Sequence, residues 1–311
     1  MHFTGFTSQP FFKSGLIFVL VIIASILFRT VFFHAFSVNG NAMSPKIIPG
    51  DKILCWRLSK TIQGEKWNPT SSNIVVYRPP LLQQNKSILS IGRIAGWSGD
   101  TVDINLTGVF VNGKKLLTTM SPQAYATENT VFLDPREHFS PLSIPSPGDT
   151  ISFEKLGIRA FEFSFNLLRQ QSPEKDFQIK CIMLKDKVPL NPGKIDSILR
   201  IPFKKNERLK ALNQLHWFEL INIKRQLEKK FPGNLINFQR EVFENGRKIP
   251  FFIVQRKCCF ILGDNSHRSH DSRYFGYIDA NYLISRPILI YWSKKPKTVL
   301  EINFKRLLKI I

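Results

Sequence analysis

The chain has 311 residues, enough for one large domain or two modest ones with a sizeable core. Its net charge of +21 is the compositional outlier and suits anionic lipid head groups, an acidic partner protein or nucleic acid. Nucleic acid is excluded as a partner because no compact Lys/Arg run is interleaved with a recognisable RNA- or DNA-binding motif, which leaves a solvated basic surface or a membrane-facing patch.

Residues 1–13 read as a short N-terminal tail. From Gly15 to Phe28 the sequence GLIFVLVIIASILF carries no charge, and beyond Arg29 the apolar character resumes with Val31, Phe32 and Phe33. Taken as Gly15 to Phe36, within an anchor assigned to 14–36, the segment makes about 33 Å of helix, which spans a bilayer with Arg29 snorkelling to an interface. A cleaved signal peptide or a buried core helix fits less well, since the run is long and lacks a small-x-small cleavage site. The expectation is a single uncleaved anchor. Lys13 and Arg29 flank it on opposite sides, so charge orients it poorly. No second apolar run follows, which places 37–311 on one side of the membrane.

Downstream the predicted fold class is mainly β. Short β-rich runs bounded by turn residues are Ser72–Tyr77, Thr101–Ile104, Val109–Val111, Thr150–Phe153, Phe251–Val254, Phe260–Leu262 and Pro287–Trp292. Asn112-Gly113 signals a hairpin, and Pro147-Gly148-Asp149 another turn. Between Asn206 and Phe231, Leu209, Leu212, Leu215, Leu220, Ile223 and Leu227 recur at helical spacing until Pro232-Gly233 stops the pattern. This helix falls in an insertion around 160–248, most basic from Lys175 to Lys248. The four cysteines, Cys55, Cys181, Cys258 and Cys259, show no CxxC pair or metal spacing and read as buried free thiols.

Three stretches carry the chemistry. The first is Ala42-Met43-Ser44-Pro45-Lys46-Ile47-Ile48-Pro49-Gly50-Asp51, directly after the anchor. The second is Arg93-Ile94-Ala95-Gly96-Trp97-Ser98-Gly99-Asp100-Thr101-Val102. The third runs from Gly263-Asp264-Asn265 through Ser269, Asp271, Ser272 and Arg273 to Gly276. In this order, behind an apolar anchor, they resemble the boxes of the type I signal peptidases, and the third matches at nearly every defining position. The resemblance covers the anchor, about residues 37–117, about 145–155 and 245–293. It implies a β-rich domain on the outer face of a bacterial inner membrane, with the N-terminus cytoplasmic. It also implies a serine endopeptidase mechanism, in which a serine before Met-x-Pro attacks and a buried neutral lysine before the second-box Arg takes its proton. Serine needs such a base, and lysine serves only where an apolar site lowers its pKa.

The position before Met43 is Ala42, and the position before Arg93 is Gly92. Gly40 stands where many relatives place a hydroxyl near the oxyanion. Gly50-Asp51 and Gly99-Asp100 fix both registers. Read as an extended segment, Ser44 lies about 6.6 Å from Ala42, and Lys86 about 20 Å from Gly92. Arg93 cannot act as a base. Lys46 is the least implausible substitute. Met43, Pro45, Gly50, Asp51, Arg93, Gly99, Asp100, Gly263, Asp264, Asn265, Ser269, Asp271, Ser272 and Arg273 are retained. In relatives Ser269 orients the lysine, while Arg93, Asp271 and Arg273 form an ion-pair cluster beneath the site. His267 and His270 lack a third ligand, so no metal or cofactor is expected. Glu137-His138 reads as loop surface, and Trp56, Trp67 and Trp97 suit the membrane interface or the core.

The sequence therefore points to a proteolytically inactive homologue acting as a peptide-binding or scaffold subunit in protein secretion. Its expected partners are membrane lipid, a signal peptide or other extended hydrophobic peptide, and secretion-machinery subunits. The alternative is an active signal peptidase with an unorthodox catalytic arrangement. On the first reading, A42S/G92K tests whether the rest of the site is assembled.

Overall fold

A computed structural model describes residues 9–57, 72–80, 88–105, 107–116, 126–127, 130–131, 135–136, 139–190, 212–294 and 301–311. Trp67, Lys86, Glu137-His138 and Leu209 lie outside the described residues. In chain order, helix α1 (Gln9–Phe32) precedes strands β1 (Phe33–Ser37), β2 (Asp51–Arg57), β3 (Ile74–Tyr77), β4 (Ser90–Trp97), β5 (Thr101–Asn105), β6 (Gly108–Val111), β7 (Lys114–Lys115), β8 (Ala126–Thr127), β9 (Thr130–Val131), β10 (Phe139–Ser143) and β11 (Thr150–Ser152). Helix α2 (Ile158–Gln171), β12 (Phe177–Lys185), β13 (Val188–Pro189), helix α3 (Trp217–Lys230), β14 (Ile236–Glu244), β15 (Arg247–Ile249), β16 (Phe251–Ile253) and β17 (Cys258–Leu262) follow. Helix α4 (Ser272–Phe275), β18 (Ile278–Asp279), β19 (Leu283–Ser293) and β20 (Lys309–Ile310) complete the order. The protein is β-rich behind one apolar helix, as its sequence led us to expect.

The chain forms two compact units, one of Met1–Gly40, Lys46–Asn68 and Ile284–Ile311, the other of Asn41–Pro45 and Pro69–Leu283. In the first, Ser14–Phe32 is long and apolar enough to cross a membrane. The helix ends at Phe32, before the expected Phe36, because Phe33–Ser37 pairs antiparallel with β2 from Phe33↔Trp56 to Ser37↔Lys52. Ring contacts seal this junction: Phe32 and Phe33 lie 5.6 Å and 5.1 Å from Trp56. β19 pairs on the other side of β2 and β20 on β19. Pro287 opposes Cys55 beside a bulge in β19, the kind of position at which strands tolerate proline. The wholly buried Asp51 carboxylate takes Arg306 in a two-pronged pair, at 3.0 Å (Nε) and 2.7 Å (Nη2), with Ser293 Oγ at 2.6 Å and the Ile48 N–H at 2.9 Å.

In the second unit β3, β4, β17 and β18 run as neighbours, with β10-β5-β6-β7, β11-β16, β8-β9 and β13-β12-β14-β15 as further sheets. β3 (IVVY) and β17 (CCFIL) are buried at every position, which explains their unbroken apolar runs. The Asn112-Gly113 hairpin forms between β6 and β7 with positive φ at both residues (50° and 76°), the backbone a two-residue turn demands. Cys258 and Cys259 are wholly buried and accept no partner cysteine; all four thiols are free.

Residues 160–248 differ from their expected form. Besides one helix, they hold α2 and the four-stranded sheet around β12 and β14. α2 escapes periodicity because its buried positions include Glu162, Ser164, Asn166, Gln170 and Gln171. The second helix starts at Trp217, after a 3-10 turn at Leu212–Gln214, since the Glu219 carboxylate accepts the His216 N–H (2.7 Å) and Glu162 accepts that of Trp217 (2.7 Å). It stops before Pro232-Gly233 as expected, with Gly233 at φ 89°. Phe163 of α2 contacts Trp217 and Tyr277 edge-on, both at 5.9 Å, and Gly276 (φ 81°) leaves room for its ring where any Cβ would collide.

Glu162 also holds Arg240 (3.1 Å) and His216 (2.9 Å), with Glu162 and Arg240 both buried. E162A leaves the Arg240 charge uncompensated and is expected to cost about 3–5 kcal/mol in denaturant unfolding, whereas E162L/R240M recovers most of that loss. Burial pushes the Cys55 and Cys258 thiols up to about 12. Folding thus favours the protonated thiol, and this stability is complete below about pH 8.5 and lost as pH rises toward 12. At pH 8, mass spectrometry should find both unmodified by iodoacetamide until the protein is unfolded.

Candidate functional site

The third box is a buried loop that folds on itself at the end of β17. Asp271 accepts the Gly263 N–H (3.0 Å) and the Arg273 N–H (3.1 Å), and takes the Arg273 guanidinium through both oxygens at 2.9 Å. Arg273 also reaches the Ser266 carbonyl (2.7 Å), and Ser272 Oγ accepts the Ile261 N–H (2.9 Å). Arg93 on β4 pairs with Asp264, Nε to Oδ1 at 2.7 Å and Nη2 to Oδ2 at 2.6 Å, while Nη1 donates to the Ser72 carbonyl at 2.7 Å. Arg93 thus pairs with Asp264, and Arg273 with Asp271. Leu262 opposes Arg93 across the sheet, which puts Asp264 in reach, and Arg273 already occupies both Asp271 oxygens.

The first box brings Ala42 to this loop. Residues 42–46 form a turn, with the Ser44 N–H on the Asn41 carbonyl (3.2 Å), so the extended spacing expected from Ala42 to Ser44 does not apply. Met43 is wholly buried, whereas Ser44 is half-buried and Pro45 exposed. The Ala42 carbonyl accepts the Asn265 N–H at 2.9 Å. Gly263 permits this approach: a Cβ there would lie 2.5 Å from Ser269 Cβ and 2.7 Å from the Ala42 oxygen. Ala42, Gly263 and Ser269 thus converge. Ser269 is buried, and its hydroxyl makes no hydrogen bond among the described residues.

Gly92 lies in β4 opposite Val75 of β3. A Cβ at this position would stand 2.5 Å from Ile261 Cγ2, 3.2 Å from the Leu262 carbonyl and 3.3 Å from Tyr77 Cε1. Ile261 is wholly buried and β-branched, so it cannot swing clear cheaply. The space beside Gly92 is therefore already filled. Burial, and after it the nearby Asp271 carboxylate, push the Tyr77 phenol well above its ordinary range and keep it neutral. Gly40 contrasts: a Cβ there meets nothing within 4 Å.

The remaining expected positions serve turns and fastenings. Gly50 (φ 93°) and Asp51 fasten the first unit. Gly99 (φ 93°) and Asp100 close the turn between β4 and β5, where Asp100 accepts the Trp97 N–H (2.8 Å) and an Asn112 amide proton (2.7 Å). His267 is exposed on a 3-10 turn, and His270 lies 4.2 Å from the Tyr274 ring. Among the described residues no three His, Cys, Asp or Glu side chains gather to hold a metal. Sequence reasoning missed Ile261 and Tyr77, which read as ordinary strand residues. It also missed a cavity of about 290 Å³ beside α2, lined among others by Glu162, Asn166, Arg169, His216 and Arg240. None of these carries a local motif.

Gly92→Ala is expected to cost about 1–3 kcal/mol by overpacking, relieved in G92A/I261A, whereas Gly40→Ser stays within about 0.5 kcal/mol. Denaturant midpoints of the full chain in detergent check this.

Residues 11–292 match the family described as "Signal peptidase, peptidase S26". A signal peptidase I of Buchnera aphidicola subsp. Baizongia pistaciae is 23% identical over 281 residues, 87% of this chain and 73% of the relative. A probable signal peptidase I-2 of Synechocystis sp. is 27% identical over 129 residues, 41% of this chain and 53% of that relative, so the match spans about half of the latter's length. With its apolar N-terminal helix, its β-rich body and the convergence of the first and third boxes at Ala42 and Gly263, the chain belongs to the signal peptidase family, peptidase S26.

Proposed function

We propose that this protein is a proteolytically inactive signal peptidase homologue that works as a peptide-binding or scaffold subunit in protein secretion. One observation carries the reading: at the position assigned to the lysine base there is neither a side chain nor room for one, because Ile261 Cγ2 stands 2.5 Å from any Cβ on Gly92. Ala42 at the nucleophile position offers a methyl group with no lone pair. The nearby carboxylates of Asp264 and Asp271 are each committed to an arginine, so neither is a ready substitute base.

The retained residues then have structural work. Arg93, Asp264, Asp271, Ser272 and Arg273 hold the loop that positions Asn265 against Ala42, and Ser269 fills the approach to Gly263. The helix of Ser14–Phe32 anchors the protein in a bacterial inner membrane, with the N-terminus cytoplasmic and the β-rich body on the outer face. The ligand is a signal peptide or another extended hydrophobic segment, taken as an added strand. The basic insertion meets lipid head groups or an acidic secretion-machinery partner.

The test is a cleavage assay on a preprotein with the detergent-solubilised full chain, run beside A42S/G92K and A42S/G92K/I261A. The native protein should give no product, as expected when loss of a nucleophile costs on the order of 10⁶ in turnover. The double variant should also stay silent, and the triple variant, with Ile261 out of the way, should cleave. Product from the native protein would sink the proposal in favour of an unorthodox active peptidase. Activity in the double variant would show that Ile261 does not close the site.

A further inference from the structure

The cavity of about 290 Å³ beside α2 lies wholly within the second unit, and the proposed function makes no use of it. Two arginines line it. Arg240 on β14 is buried, whereas Arg169 near the end of α2 is exposed. The cavity thus joins a buried charge to solvent. Arg240 is held firmly but satisfied only in part. Its guanidinium lies 4.7 Å from the centre of the Phe161 ring, and Nη1 donates to Glu162 at 3.1 Å. Nε is buried with no hydrogen-bond acceptor among the described residues. Glu162 is divided among three donors, since it also takes His216 Nδ1 at 2.9 Å and the Trp217 N–H at 2.7 Å.

The charges around the cavity do not balance. Arg169 and Arg240 face a single lining carboxylate, that of Glu162, and Arg169 pairs with no acid among the described residues. A buried charged donor without an acceptor is costly, and a carboxylate relieves it through the planar, charge-assisted geometry that suits a guanidinium. The rest of the lining narrows the choice of anion. Phe165, Phe177, Ile179 and Leu215 give the cavity apolar walls, which an inorganic anion would leave wet and an organic acid would cover. A cavity of about 150 Å³ holds benzene. The volume here, about 290 Å³, therefore has room for a ring-sized apolar body and a head group.

We infer that this cavity binds a small organic carboxylate, with its head group on Arg240 and its apolar body against Phe165, Phe177 and Leu215. Arg169 at the exposed end draws the anion in. The site shares no residue with the one at Ala42 and Gly92, so it stands or falls separately from the proposed function. The carboxylate belongs either to a free acid or to the C-terminus of a peptide, and the probes below separate these sources.

Binding to the detergent-solubilised full chain is measured by isothermal titration calorimetry. The probes, at millimolar concentration, are 3-phenylpropionate, 3-phenylpropionamide, an acetylated tripeptide ending in phenylalanine with a free or amidated C-terminus, and inorganic phosphate. At least one acid should bind, with its amide weaker by about tenfold or more and phosphate weaker than the acid. E162L/R240M should lose about tenfold or more of that affinity, and Arg169→Gln a few-fold. Tighter binding of 3-phenylpropionate assigns the site to free acids, and tighter binding of the tripeptide acid assigns it to peptide C-termini. Equal binding of acid and amide, phosphate binding as tightly as the acids, or binding unchanged in E162L/R240M would each overturn the inference. So would the absence of binding by either acid. The comparison of acid with amide uses the native protein, so it decides the matter even where a variant fails to fold.

Discussion

The buried pair of Arg93 and Asp264 is the fastening on which the candidate site depends. It joins the middle of β4 to the loop that leaves β17, and its third nitrogen reaches the Ser72 carbonyl before β3. Such a pair contributes little net free energy, because the attraction mainly offsets the desolvation of both charges. Its effect is positional. Once Arg93 is fixed, its neighbour Gly92 must sit between Val75 and the β17 chain, with Ile261 against its α-carbon. The same pair sets Asn265 where its N–H meets Ala42. The framework of the candidate site therefore stands independently of whether the residues it frames can do chemistry.

Much of this was legible in the sequence, and the boundary has a physical basis. The three boxes could be read because their residues act over short separations: Asp271 on Arg273, Asp100 on Trp97, Gly263 on Ser269. The hairpin at Asn112-Gly113 and the stop at Pro232-Gly233 are local backbone chemistry. α2 was not legible, because its amide and carboxylate side chains are buried by partners far along the chain, and no hydropathy pattern records that. The anchor helix read too long, since Phe33–Phe36 is equally apolar as helix or strand and only pairing with β2 decides. The filling of the space beside Gly92 by Ile261 is a tertiary fact with no local signature.

The segment around 160–248 is bound into the core of the second unit. From one face of α2, Asn166 donates to the Phe275 carbonyl (3.0 Å), and Gln170 donates to that of Tyr277 (2.9 Å) while accepting the Asp279 N–H (2.9 Å). Gln171 bridges Gln255 and Arg256 in the same way, at 2.8 and 2.9 Å. Each amide satisfies backbone groups that would otherwise be buried without partners. The chain after the third box thus takes hydrogen bonds from α2, and Trp217 adds one to the Tyr274 carbonyl at 3.1 Å.

The clamp of Arg306 on Asp51 has a consequence for the order of events during biosynthesis. Asp51 emerges early and Arg306 very late, and β2 also waits for β19 to supply its second neighbour. Roughly 250 residues separate the two, which at 5–20 residues per second is on the order of tens of seconds of translation. The strands nearest the membrane helix therefore spend that interval with a buried-to-be carboxylate still in water, while most of the second unit is already complete in sequence and free to fold. The unit that carries α1 therefore closes last, after the chain of the second unit has been made.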